Sequence, residues 1–464
     1  MKINFILNND DVSVDMDPLF STLRFLREKM GLTSVKTGCG EGECGACTII
    51  LGIPEDGSMK YRNVTSCLLP VGELNGKHVV TLEGINRQDL SPVQKAFVDE
   101  GAIQCGFCTP GFIMSLTGFF LSDKEMTIKN ILNSIDGNIC RCTGYYSIRR
   151  AAEKILREIA SEVKKNDRVD SLADLSVIPG YFKTIAARLG KLRADIDSGN
   201  FSGKDTLFVG GGTDLLVSGI GGKSPDVRFI SGIEGITEIS GDENFINIGA
   251  GASVESILDS EILKKHFPGM DGFMYLISSQ IIRNLATLGG NIVNASPIGD
   301  LSVLFLVLDP VLEIRSDNGV REVELKNFFK GYKVLDLSPG ELIYNMKIPV
   351  PKGESFLNFE KVSRRKYLDI ASCNSAACFH VEDNVIKKCD ISAGGVSPIP
   401  LYLGKSSSFL AGKEINGETI EKVVEIASGE ISPISDVRGA SHYKEELLKQ
   451  LIRAHFEKFK GRTK

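Results

Sequence analysis

Four cysteines in one stretch set the chemistry to be explained. QCGFC at 104–108 and NICRCTGY at 138–145 supply Cys105, Cys108, Cys140 and Cys142 as two close pairs on separate segments. Such pairs converge only if the chain between them folds back, and four converging thiolates suit an iron–sulfur cluster or a tetrahedral metal. Cys140-Arg141-Cys142 cannot point both thiolates to one side of a regular helix, so it predicts a turn wrapped around the metal. An earlier run, TGCGEGECGACTI, holds Cys39-x4-Cys44-x2-Cys47, and Cys67 follows; this is the ligand spacing of a plant-type ferredoxin. Its glycines let backbone N–H groups approach the sulfurs. Structural zinc is the competing reading of both sets, and plain buried thiols a further one for Cys105, Cys108, Cys140 and Cys142.

The elements that carry these residues follow from local pattern. Residues 1–16 alternate apolar and polar side chains around Asn8-Asn9, which predicts a β-hairpin. Leu19, Leu23, Leu26 and Met30 predict a helix stopped at Gly31. HVVTLEGI at 78–85 reads as a strand, and SPVQKAFVDEG as a helix with Ser91 as N-cap and Pro92 at N1. GFIMSLTGFFL reads as helix but is too short to span a bilayer. The charged run 164–176 reads as a linker.

Beyond it, TLFVGGGTDLLV runs a strand into Gly210-Gly211-Gly212-Thr213-Asp214, where successive amides can form an anion-binding nest. It is no Rossmann fingerprint, since Leu215 stands where a third glycine is needed. TLGGNIVNASPIGD at 287–300 is a second glycine-rich loop. Two such loops suit the ends of a diphosphate cofactor; their alternative is a pair of tight turns. Cys373, Cys378 and Cys389 read as core or surface thiols, and the five histidines show no ligand spacing.

The 464 residues suggest about three domains. A net charge of −5 argues against nucleic acid or an anionic membrane as partner. Eleven cysteines without a signal-peptide pattern favour reduced thiols and a cytoplasmic location.

With two cluster motifs and two glycine-rich loops in this order, the chain resembles the iron–sulfur and FAD subunit of the molybdenum hydroxylase (xanthine oxidase) family. GCGEGECGACT, QCGFCTPG, GNICRCTGY, TLGGNIVNASPIGD and SDVRGASHY carry the resemblance. It implies an α+β multidomain chain. The expected parts are a β-grasp ferredoxin-like [2Fe–2S] domain at 1–85 and a four-helix [2Fe–2S] domain at 86–163. After the linker come an α+β FAD-binding domain of the vanillyl-alcohol-oxidase/PCMH type at 177–345 and a C-terminal α/β domain at 346–464.

The resemblance further implies electron transfer from a purine oxidised on a large molybdopterin-binding partner, through two clusters, to FAD and then NAD, in an (αβ)2 hetero-oligomer. Cys39, Cys44, Cys47 and Cys67 are the expected ligands of one cluster, and Cys105, Cys108, Cys140 and Cys142 of the other. Gln104 matches a glutamine beside the pterin, and the Cys142 side is expected to face the partner. FAD contacts map to Val209, Gly210, Gly211, Gly212, Thr213, Asp214, Thr287, Gly289, Gly290, Asn291, Asp300, Ile343 and Lys361. Ile277 stands where the family has an aromatic near the flavin ring. Tyr332 and the loop 363–369 match the nicotinamide side. Three rival functions stand beside this one: an equivalent subunit for aldehydes or N-heterocycles, a non-catalytic iron–sulfur carrier, and a zinc-stabilised binding protein.

Overall fold

The computed structural model describes residues 1–55, 57–192, 206–219 and 226–462. Two compact units divide the chain: one takes residues up to 198 with 211–232 and 279–285, the other takes 199–210, 233–278 and 286–464.

In the first unit the N-terminal hairpin pairs Lys2–Leu7 with Asp10–Asp15, turning at Asn8, whose φ of +53° suits an asparagine. Lys2–Leu7 also runs parallel to His78–Val80, and Thr48–Glu55 and Ser58–Thr65 complete a five-stranded β-grasp sheet. The predicted helix at 19–30 is shorter than its apolar spacing suggests, spanning Thr22–Arg24 and a wider turn at Phe25–Lys29. Asp17 accepts the Leu19 amide and holds Leu19 ahead of the helix.

Four helices follow: Pro92–Asp99, Thr109–Leu121, Ile128–Asn133 and Tyr146–Ile159. Ser91 and Gln94 form a reciprocal capping box at the first. Thr109–Leu121 is buried from Gly111 onward, and a helix apolar on every side belongs in a core. It packs on the strands Thr48–Glu55 and Ser58–Thr65, where Asn63 Nδ2 donates to Ser115 O at 2.7 Å.

The run read as a linker is ordered. Lys165–Asp167 forms a turn of 3-10 helix and Arg168–Asp174 an α-helix, with Leu172 in the helical core. Arg168 donates to Phe120 O, a carbonyl orphaned in the last turn of the long apolar helix, and to Lys124 O just beyond it.

In the second unit, Gly319–Glu324, Val311–Ser316, Leu342–Pro349, Phe245–Gly249 and Ile239–Gly241 make an antiparallel sheet in that order. A second antiparallel sheet joins Ser355–Val362, Cys373–Glu382, Val385–Gly394 and Leu401–Tyr402. Helices Gly404–Leu410, Gly417–Ser428 and Ser441–Arg462 share its core, which also takes in Cys373 and Cys389. Cys378 is buried as well. Among the described residues no helix is long and apolar enough to cross a membrane. The chain is thus a multidomain α+β protein.

Candidate iron–sulfur and flavin sites

The first cysteine loop is bent by glycines with positive φ. Gly45, at +66°, carries no Cβ because one would stand 2.5 Å from Gly137 O. Glu41 N donates to Cys39 Sγ at 3.3 Å and Cys39 N to Cys44 Sγ at 3.4 Å. The Thr65 hydroxyl sits 3.0 Å from both Cys47 Sγ and Cys67 Sγ. The thiols thus pair as Cys39 with Cys44 and Cys47 with Cys67. The hydrogen bond from Cys44 holds the Cys39 thiol below its ordinary value, and that from Cys67 does the same for Cys47.

The second set also pairs. Cys142 and Cys105 sulfurs lie 3.6 Å apart at the surface, and Cys140 is hydrogen-bonded to Cys108. Cys108 is the N-cap of helix Thr109–Leu121, and burial together with its hydrogen bond to Cys140 pushes its thiol up to about 12. The Thr143 amide donates to Cys140 Sγ at 3.4 Å, and the Cys140 amide donates to the Tyr145 hydroxyl at 3.0 Å. Gln104 is exposed beside Cys105.

Tetrahedral metal–sulfur bonds of about 2.3 Å hold two thiolates roughly 3.8 Å apart, close to the Cys105–Cys142 spacing. Among the described residues no three metal-ligating side chains converge on a single ion position. Two thiol pairs in each set, approached by backbone N–H groups, fit a binuclear [2Fe–2S] cluster.

The two cysteine loops touch directly. Ile139 N, one residue before Cys140, donates to Cys44 O at 3.0 Å, and Asn138 Nδ2 donates to Gly45 O at 3.1 Å. Gly111 permits this approach, since a Cβ there would collide with Gly45 O. The segment 279–285 joins the same unit: Asp136 accepts the Gln280 amide at 3.1 Å and pairs with the buried Arg283 at 3.4 Å. None of Asn138, Asp136 or Arg283 stood out in the sequence, because each acts across a long chain separation.

Among the candidate flavin residues, Gly211, Gly212, Thr213 and Asp214 fall in the first unit. Gly212 has φ +71° and caps the helix Thr213–Ser218. The rest fall in the second unit, where strand Thr206–Val209 leads into Gly210. A Cβ on Gly210 would collide with Thr287 Oγ1, and that oxygen caps helix Leu288–Asn294 by accepting Gly290 N at 3.1 Å. Gly289 leaves space for Ala250. Asn291 Oδ1 accepts the Ser302 hydroxyl at 3.0 Å, tying the loop to helix Asp300–Leu306.

Asp300, in the first turn of that helix, accepts from Lys361 Nζ at 2.6 Å. Lys361 also donates to Leu276 O at 2.8 Å, the residue before Ile277. Burial pushes the Asp300 carboxyl up, and Lys361 and the Asn374 amide only partly offset this. Ile343 is buried in strand Leu342–Pro349 opposite Ile314. Tyr332 is 65% exposed, and the neighbouring Lys333 staples its turn to the Asn294 side chain at 2.8 Å. In the second unit, the close glycine backbone at Gly210 and Gly289, the buried Lys361 and its partner Asp300 have the chemistry to hold a flavin diphosphate.

Four family descriptions match the chain. They are a 2Fe-2S iron–sulfur cluster binding domain at 5–72, a [2Fe-2S] binding domain at 81–153, an FAD binding domain in molybdopterin dehydrogenase at 189–351, and a CO dehydrogenase flavoprotein C-terminal domain at 358–459. The chain belongs to the molybdenum hydroxylase family as its iron–sulfur and FAD-binding portion. It is similar to xanthine dehydrogenase of Emericella nidulans, with 28% identity covering 89% of this chain and 35% of the relative. Against aldehyde oxidase 1 of Bos taurus identity is 27%, covering 96% of this chain and 38% of the relative. The chain thus spans little more than a third of the length of these relatives. The structure of quinoline 2-oxidoreductase from Pseudomonas putida 86 aligns with TM-score 0.51 and 25% identity, covering 55% of this chain and 89% of that one.

Proposed function

We propose that this chain is the electron-transfer subunit of an NAD-dependent xanthine dehydrogenase, working with a large molybdopterin-binding partner in the cytoplasm. The observation that carries the reading is the contact between the two paired-cysteine loops, Ile139 N to Cys44 O, in a chain that also carries a flavin domain. When bound, [2Fe–2S] clusters and FAD supply one-electron transfer and its conversion to the two-electron chemistry of a nicotinamide.

Cys39 with Cys44 and Cys47 with Cys67 would hold one cluster, and Cys105 with Cys142 and Cys108 with Cys140 the other. The protein's task is to place thiolates, aim backbone N–H groups at them, and exclude water around Cys47, Cys67 and Cys140. The exposed Cys105, Cys142 and Gln104 suit the side that meets the partner. In the second unit, Thr287, Gly210, Gly289, Gly290, Asp300 and Lys361 would bind and orient FAD, and the exposed Tyr332 and loop 363–369 would receive NAD.

The test is iron, acid-labile sulfide, zinc and flavin content of the purified chain, with its spectrum before and after NADH. Four irons and one FAD, bleached by NADH, are the expected result; zinc without flavin would sink the reading. A second reading, an aldehyde or N-heterocycle hydroxylase, is favoured by the near-equal identity to aldehyde oxidase 1 and by the alignment with quinoline 2-oxidoreductase. Turnover of xanthine against aldehydes and quinoline by the complex with its partner separates the two.

A further inference from the structure

Lys361, Asn374 and Gly394 stand opposite one another on three neighbouring strands, forming one row across the second sheet. Two members of that row reach the same carboxylate. Lys361 Nζ donates to Asp300 Oδ2 at 2.6 Å, and Asn374 Nδ2 donates to Asp300 Oδ1 at 2.5 Å. The Asn374 amide also reaches Ile298 O at 3.3 Å. Asn374 is wholly buried, and among the described residues its own Oδ1 has no partner. An orphaned buried acceptor is unfavourable, so the orientation is retained for what the N–H end does. The third member of the row makes room for it, since a Cβ on Gly394 would collide with Asn374 Oδ1.

We propose that Asn374 is a positioning residue of the flavin site: by holding one oxygen of Asp300 it leaves the other for Lys361, and so fixes where the lysine ammonium presents its remaining N–H. The inference rests on the reading of Asp300 and Lys361 as flavin contacts. Lys361 has three donors, of which Asp300 and Leu276 O take two, and its side chain is 3% exposed. Removing the carboxylate would leave this enclosed ammonium without its counter-charge. Lys361 is the one charged group acting on Asp300 among the described residues, and the Asn374 amide is its other support against burial. Losing that amide favours the protonated acid and unpins the lysine.

The test replaces Asn374 with leucine, of similar branched shape and without the donor, in the complete iron–sulfur protein, and measures FAD dissociation against pH. In N374L we expect FAD to bind about tenfold more weakly at pH 7, with the acid limb of binding moved up by about one pH unit; iron content and the two-cluster EPR signal stay as in the parent. N374T, which keeps a shorter hydroxyl donor, should recover part of the affinity and gives the same reading if N374L does not accumulate. Parental affinity and pH profile in these variants, while K361M loses flavin, overturn the role of Asn374 alone. If K361M also binds FAD normally, the flavin-site reading itself falls.

Discussion

Two histidines that carry no cofactor chemistry control how the fold responds to acid. His78 is buried, its Nε2–H donating to Asn8 O at 2.8 Å and its Nδ1 accepting the Tyr61 hydroxyl at 3.1 Å, and burial holds its pKa near 4. His455 lies between the Asn358 amide and the Ser375 hydroxyl, and burial holds it near 3. The unfolded chain protonates both near the ordinary 6.5, so it binds more protons than the fold as pH drops. Their stabilising neutral form therefore counts in full above about pH 6.5. It is lost on the way down to pH 4, by roughly 3 kcal/mol for His78. Chemical unfolding of the iron-free protein should show that decline, and a stability flat from pH 7 to 4.5 would contradict it. At the cofactor residues, Cys142→Ser should abolish one of two [2Fe–2S] EPR signals while NADH still reduces the flavin. Asp300→Asn should strand Lys361 without its counter-charge, a loss on the order of 3–5 kcal/mol, seen as lower flavin content.

The helix Thr109–Leu121 is the element on which both cysteine sets depend. Its N-terminus receives Cys108, its Gly111 face lies against Gly45 of the first loop, and its Gly118 sits over Asn63. Gly111→Ala forces a methyl group into Gly45 O, a backbone atom that cannot rotate away. Overpacking of this kind costs about 1–3 kcal/mol, and here it pushes on the Cys44 loop as well. We expect a lower unfolding midpoint together with loss of iron from the first set, checked by iron per chain and by which EPR signal fades. Much of this element was legible in the sequence: the capping box at Ser91, the apolar run and its length all pointed to a short buried helix. The helical packing of 164–176 was not legible, because Arg168 finds its partners 44–48 residues away at Phe120 and Lys124, and Leu172 joins a core assembled from distant helices, not a local pattern.

Two compact units, each with its own core, predict two unfolding transitions. Cysteine-held clusters bind only the folded first unit, so removing iron should lower one calorimetric transition and leave the other in place. A single transition that moves as a whole would refute this independence. What the chain declares unaided is its ligand chemistry: cysteine spacing and glycine-rich loops are local, and covalent geometry alone confines Cys39-x4-Cys44-x2-Cys47 to a tight loop. Tertiary structure alone settles the pairing of Cys105 with Cys142 and Cys47 with Cys67, the Ile139–Cys44 contact between loops, and the row of Lys361, Asn374 and Gly394. Each of these depends on strand register or on helices folding back, and neither is encoded in spacing along the chain. Asn374 is the sharpest case, for in sequence it is one polar residue in a strand, and only the neighbouring strands and the helix above them give its amide a carboxylate to hold.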